Sequence, residues 1–127
     1  MLKQSVKDKL EQLKLKGFLR SAESSLDQML AQGTSFEDFL DFCLESELND
    51  RTNRRIERLF SIAKLRYPTA RLEHIDYAPE RKLKKADIAR YANCEWINDC
   101  RGLIISGATG VGKSWLGCAL GAEACLA

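Results

Sequence analysis

Apolar residues recur along the first sixty positions at intervals of three and four, the period of helices packed on one side. In "MLKQSVKDKLEQLKLKGF" Leu2, Val6, Leu10 and Leu13 hold that spacing with lysines and acids between them, and Gly17 interrupts it. The next stretch, "LRSAESSLDQMLAQG", sets Leu19, Ala22, Leu26, Met29 and Leu30 on one stripe and ends at Gly33, suited to the left-handed turn that closes many helices. "TSFEDFL" opens a third helix, where Thr34 and Glu37 have the spacing of a capping box and Phe36, Phe39, Leu40, Cys43 and Leu44 repeat the apolar face. Beyond Asn49 the period continues, but Leu48, Ile56, Leu59, Phe60 and Ala63 cluster on the opposite side of the wheel. That change of face predicts a bend or break near Asn49-Asp50.

In "LRYPTARLEHIDYAPE" Pro68 ends the helical pattern and Pro79 ends the segment, which predicts a linker with the boundary close to Tyr67. "RKLKKADIARYANCEWI" reads as a further helix with Leu83, Ile88, Tyr91 and Ala92 facing inward. The wholly apolar run Leu103, Ile104, Ile105 suits a buried parallel strand, and "WLGCALGAEACLA" has the composition of a helix whose Gly117 and Gly121 share one face for close approach to a sheet. The expected fold is therefore an α-helical module over residues 1–66, followed over residues 67–127 by a linker and the start of an α/β P-loop domain. That domain stops after its first strand, Walker A loop and helix. No internal repeat or low-complexity stretch is present.

The loop between strand and helix carries the most specific chemistry. Gly107, Ala108, Thr109, Gly110, Val111, Gly112, Lys113 and Ser114 satisfy G-x-x-x-x-G-K-[ST] in full, in the strand-loop-helix setting that the pattern needs. Glycines let the backbone turn with positive φ and bring successive N–H groups onto an anion without a Cβ in the way. The helix N-terminus beyond adds partial positive charge. Lys113 supplies a point charge to the β and γ phosphates of ATP, the Ser114 hydroxyl is placed to coordinate Mg²⁺, and Trp115 adjoins them. Hydrolysis needs more: an acidic residue at the end of another strand, and often a neighbour's arginine. Glu95 and Asp99 precede the loop with no motif context for that task, so this chain alone is expected to bind nucleotide weakly and not turn it over.

Charge adds a second candidate. The net charge of +2 conceals six basic and ten acidic side chains in residues 1–50 against fourteen basic and eight acidic in residues 51–127. Arg51, Arg54, Arg55 and Arg58 stand at i, i+3, i+4 and i+7 and gather four guanidinium groups on one helix face. Like charges at that spacing repel, so an anion must compensate them: either phosphates of duplex DNA, read without regard to sequence, or carboxylates such as Glu47, four residues before Arg51. Arg81, Lys82, Lys84 and Lys85 form a second basic cluster, for which a solvated surface is the plainer reading.

The rest of the composition narrows the class. A length of 127 residues with 45% hydrophobic and 30% charged residues fits a helix-rich globular protein with room for one modest domain or a small module joined to part of a larger one. No apolar run approaches the ~20 residues of a membrane span and the lysine-rich start lacks the apolar core of a signal peptide, so the cytoplasm is the expected location. The five cysteines, Cys43, Cys94, Cys100, Cys118 and Cys125, match no zinc pattern and read as reduced packing residues. The single histidine, His74, has no nucleophile placed beside it by any motif.

The runs "LKLKGF", "SFEDFLDFCLESE" with the spaced arginines after it, "ARLEHIDY", "YANCEWI" and "LIISGATGVGKSWLGCALGAEA" together resemble the N-terminal half of IstB-like ATP-binding proteins, AAA+ helpers of insertion-sequence transposition that are similar to DnaC helicase loaders. The resemblance covers nearly the whole chain. Family members usually carry Pro-Gly-Thr inside the loop where this chain has Thr109, Gly110 and Val111, while the glycine, lysine and hydroxyl positions are kept. The family's Walker B acid, sensor residues and arginine finger have no counterpart, so the chain looks like a fragment. The resemblance implies ATP-dependent assembly on DNA, stimulation of a transposase, self-association in the full-length form, and a position beside the adenine for His74 to Tyr77. It also raises the DNA reading of the arginine ridge. Two other functions fit the same sequence: a helicase loader of DNA replication, and a non-enzymatic fragment that only associates with proteins.

Overall fold

The computed structural model describes residues 1–78, 82–108 and 110–127; Pro79, Glu80, Arg81 and Thr109 lie outside the described residues. Among the described residues six α-helices form: α1 (Gln4–Gln12), α2 (Lys16–Ala31), α3 (Phe36–Ala63), α4 (Lys85–Ala92), α5 (Glu95–Asn98) and α6 (Lys113–Leu126), with a 3-10 turn at Leu72–His74. Contacts group the chain into two compact units, Met1–Arg55 and Ile56–Ala127, and the division falls inside α3.

In the first unit, the α1 to α2 turn comes earlier than Gly17. Lys14 takes a left-handed conformation at φ 61°, and the Leu15 and Lys14 N–H groups donate to the carbonyls of Leu10 and Glu11 at 2.9 Å each. These are the two bonds of a helix-closing motif usually built on glycine. Gly17 instead lies in the first turn of α2 and is buried there. A Cβ at that position would sit 2.8 Å from Glu47 Oε2 and 3.0 Å from the Glu47 Cα, so the absent side chain is what lets α2 and α3 approach. At the other end of α2, Gly33 at φ 71° closes the helix as its type predicts, with Thr34 N–H donating to Met29 and Gly33 N–H to Leu30.

The cap of α3 is Ser35, whose Oγ accepts from the Asp38 N–H at 3.2 Å, one residue later than the expected Thr34 and Glu37 pair. No break occurs near Asn49-Asp50: α3 runs through unbroken for 28 residues. It contains neither proline nor glycine, the usual causes of a break, and Glu47 and Asp50 pair with arginines one turn ahead. The buried face also differs from the predicted stripe. Cys43 and Glu47 are buried on it, whereas Phe36 is 74% and Leu44 47% exposed. The face seen from α2 is chosen by small and polar residues that allow close approach, which a hydrophobicity pattern does not register.

In the second unit, α3 ends at Ala63 and Lys64 turns left-handed at φ 46°. The stretch expected as a linker is packed: Ala70 is buried against Cys118 and Ala119 of α6, with Leu65, Leu72 and Trp115 around them. Arg71 fixes its course, donating to the carbonyls of Pro68 and Ala70 at 2.9 Å each and lying over the Phe60 ring. The small residues of α6 form the centre of the unit, with Cys118, Ala119, Leu120, Ala122 and Cys125 all buried. Gly121 admits Leu65, whose Cδ2 would be 3.0 Å from a Cβ there; the close approach is to this leucine and not to a sheet. The helix predicted over "RKLKKADIARYANCEWI" is two helices, α4 and α5, with Cys94 left-handed at φ 61° between them and Leu83 ahead of α4.

No strand forms among the described residues, so the expected β-strand at Leu103 to Ile105 is not present. Leu103 and Ile105 are half-buried, but Ile104 is 91% exposed. A parallel strand exists only by exchanging hydrogen bonds with a neighbour, and none of the described segments supplies one.

Candidate functional site

The glycine-rich loop leads directly into α6, with Gly112 as its N-cap at φ 90° and Gly110 at φ 83° two residues before. Both are left-handed conformations that cost a side-chain-bearing residue roughly 1–2 kcal/mol. The first bond of the helix runs from Leu116 N–H to the Gly112 carbonyl at 3.0 Å. The N–H groups of the turn before it have no partner within the helix by geometry, and they carry the positive end of its dipole. Lys113 Nζ folds back and donates to the Gly107 carbonyl at 2.7 Å, which holds the ammonium over the loop.

Beside the loop lies a pocket of about 680 Å³, within the usual range of small-molecule sites. Its walls come from four segments of the second unit: His74, Ile75 and Asp76 at the end of the 3-10 turn, Leu83 ahead of α4, Ile105 and Ser106, and Gly110 to Lys113 with Trp115 and Leu116. The mixture is apolar on the Ile75, Ile105, Trp115 and Leu116 side and polar at His74, Asp76, Ser106 and Lys113. Trp115 is half-buried and also packs on the Ala70 cluster, so the core fixes one wall. The expected nucleotide residues Gly110, Val111, Gly112, Lys113 and Trp115 all line the pocket; Gly107, Ala108 and Ser114 are exposed beside it, and Thr109 lies outside the described residues. Three of the four residues from His74 to Tyr77 are brought to the same pocket.

The residues fit a phosphate-bearing ligand on their own chemistry: a cation on a long stem held by a backbone carbonyl, helix-end amides, and glycines in conformations that keep side chains away. For Mg²⁺ the Ser114 hydroxyl is the side chain at hand. No group of three or more His, Cys, Asp or Glu gathers among the described residues to hold a metal by itself.

These features meet a direct comparison of sequence. The family profile described as IstB-like ATP binding protein matches residues 8–127. The chain belongs to that family. An ATP-binding protein ascribed to insertion sequence IS1162 of Pseudomonas fluorescens is 39% identical over 125 residues, covering 98% of this chain and 54% of the relative. Insertion sequence ATP-binding protein y4pL of Sinorhizobium fredii is 34% identical, over 98% and 51%. The corresponding protein of insertion sequence IS21 from Pseudomonas aeruginosa is 28% identical, over 91% and 43%. The chain spans about half the length of the curated relatives it matches. No solved structure gives a significant match.

The arginine ridge of this IstB-like chain divides into two pairs. Arg51 Nε donates to Glu47 Oε1 at 3.1 Å, and Arg54 reaches Asp50 at 3.1 Å and Glu47 at 3.8 Å. Arg20 of α2 also reaches Asp50, at 3.3 Å. Arg55 and Arg58 are exposed and make no ion pair among the described residues. Glu47 is the residue that sequence reasoning undervalued: it is 4% exposed, and its Oε2 accepts from the Gly17 and Phe18 N–H groups at 2.8 and 3.3 Å. The carboxylate therefore caps the N-terminus of α2 from another helix. Its position one turn after Cys43 was the available signal.

Among the cysteines of the family member, Cys43, Cys94, Cys118 and Cys125 are buried and unpaired, as packing residues should be, while Cys100 is exposed. Burial pushes the Cys43 thiol above its ordinary range, against a smaller opposing effect of its hydrogen bond with Ser21. Burial, with the Glu123 carboxylate adding to it, does the same to Cys94. Neither is a poised nucleophile. No described helix is long and apolar enough to cross a membrane.

Proposed function

We propose that this chain binds ATP through the Gly107 to Ser114 loop and serves as the nucleotide-binding part of a helper of insertion-sequence transposition. The observation that carries the reading is a pocket whose wall is shared by the loop, Lys113 and the His74 to Asp76 segment. Lys113 and the first-turn amides of α6 meet the phosphates, Trp115 and Leu116 give the apolar contact, and His74 to Asp76 face the nucleoside. Mg²⁺, when bound, offsets phosphate charge, and Ser114 is its protein contact. The relatives' descriptions as insertion-sequence ATP-binding proteins support the biological setting. A transposase is the expected protein partner. Duplex DNA is the expected nucleic-acid partner, with Arg55 and Arg58 its foremost contacts because Arg51 and Arg54 are engaged by carboxylates.

Calorimetric titration with adenosine, AMP, ADP and ATP tests the nucleotide reading. Affinity should climb with phosphate number, by about tenfold or more for each charge-assisted hydrogen bond that a further phosphate brings, and fall when Mg²⁺ is chelated. Adenosine binding as tightly as ATP would remove the loop from the site.

A further inference from the structure

The first half of α3 carries a row of apolar side chains that neither the nucleotide pocket nor the buried Cys43 and Glu47 contact uses. Phe36, Leu40, Leu44 and Leu48 stand four residues apart, so they form one continuous ridge along about 18 Å of the helix. Phe36 is 74%, Leu44 47% and Leu48 60% exposed, and Leu40 is half-buried. Single exposed leucines are ordinary on a protein surface, but an unbroken row at this spacing is the raised element with which helices pack on helices. Immediately beside it runs a second ridge at the same spacing, Glu37, Asp41 and Glu45, all exposed. None of these three makes an ion pair among the described residues. Carboxylates four residues apart repel one another, and a row of cations lying alongside would relieve that repulsion. All seven residues belong to the first unit.

We infer that this face of α3 is a docking surface for a basic amphipathic helix of another protein, whose apolar side chains seat against the Phe36 to Leu48 ridge while its lysines or arginines meet Glu37, Asp41 and Glu45. Charge decides between occupants. A nucleic-acid backbone and an anionic membrane surface carry the same sign as the carboxylates and are repelled. A second copy centred on the same ridge sets carboxylate against carboxylate. Spacing decides the shape of the occupant: apolar anchors one helical turn apart, with a charged row to one side, match a helix laid along a helix. The contact is one helix wide, so the association is weak and falls with salt. It leaves Arg55 and Arg58 to DNA, and it stands whether or not the loop binds nucleotide.

Fluorescence anisotropy of labelled peptides titrated with the full chain at low salt tests it. The probe is a helical peptide of about eighteen residues of alanine, leucine and lysine, with leucines on one stripe and lysines beside them; its companion has glutamate in place of every lysine. The lysine peptide should bind and the glutamate peptide should not. Asp41→Lys, Leu44→Gln and Leu48→Gln, all at exposed positions, should each weaken binding of the lysine peptide by about tenfold or more, with circular dichroism confirming that the helices are kept. Glu11→Lys makes the same charge change at an exposed acid of α1 and should leave the affinity within about twofold of the parent. Failure of the lysine peptide to bind, or equal binding of the glutamate peptide, would overturn the proposal. Equal weakening by Glu11→Lys and Asp41→Lys would do so too, since diffuse charge would then account for the binding, as would leucine variants that bind like the parent. A parent that dimerises in sedimentation velocity and is made monomeric by Leu44→Gln would assign the ridge to a second copy instead.

Discussion

Glu47 shows how one side chain ties two helices and part of a basic ridge together. Its carboxylate takes backbone hydrogen bonds from Gly17 and Phe18 and a guanidinium from Arg51, all at a buried position. Hydrogen bonds to charged groups are worth about 1.5–3 kcal/mol when a partner is removed. Glu47→Ala should therefore lower the stability of the first unit by about 2 kcal/mol in denaturant titration. Gly17→Ala should lower it by roughly 1–3 kcal/mol, because the new Cβ meets backbone as well as side chain. Unchanged midpoints for both would mean that the α2 to α3 approach is looser than described. Cys43 gives a pH dependence. Its thiol is raised in the folded chain, so the folded state favours the protonated form; that contribution is whole below the ordinary thiol range and is lost as pH climbs through it. Cys43→Ser should reduce the steepness of the alkaline loss of stability seen in thermal melts.

At the scale of elements, what the sequence told and what it hid divide by the kind of signal. The α2 end was legible because Gly33 occupies the left-handed position, and the α6 start was legible because Gly110 and Gly112 do. The turns at Lys14, Lys64, Cys94 and Cys100 use the same conformation without glycine, so no residue type marks them. Gly17 misled for the converse reason: its role is close packing inside a helix, not the end of one. Cys100→Gly should stabilise the second unit by about 1 kcal/mol, since the replacement removes left-handed strain at an exposed site; a lower melting temperature would show that the thiol contributes packing of its own. The strand expected at Leu103 to Ile105 was a reading of composition. Strand formation depends on a hydrogen-bonded neighbour, which composition alone does not supply. Within the candidate site, the loop pattern was legible from spacing, whereas the convergence of His74, Ile75 and Asp76 on it is tertiary and entered the sequence reading only through the family resemblance.

Across the whole molecule, the sequence-level charge asymmetry turns into a division of labour: acids of the first unit engage Arg51 and Arg54, and most cations of the loop unit stay exposed. If Arg55 and Arg58 meet DNA phosphates, anisotropy titrations on two unrelated duplexes should give the same affinity. Alanine at either position should then reduce the log-log salt slope by about one; an unchanged slope would take both out of the contact. In the proposed function a nucleotide's phosphates sit against Lys113. The most direct measurement is ATP titration of the parent and of Lys113→Ala, with helicity monitored to confirm that α6 is kept. Loss of this charge-assisted contact should weaken ATP by roughly 1.5–3 kcal/mol, about ten- to a hundredfold or more, and affect adenosine little. Equal ATP affinity in the two proteins would contradict the account.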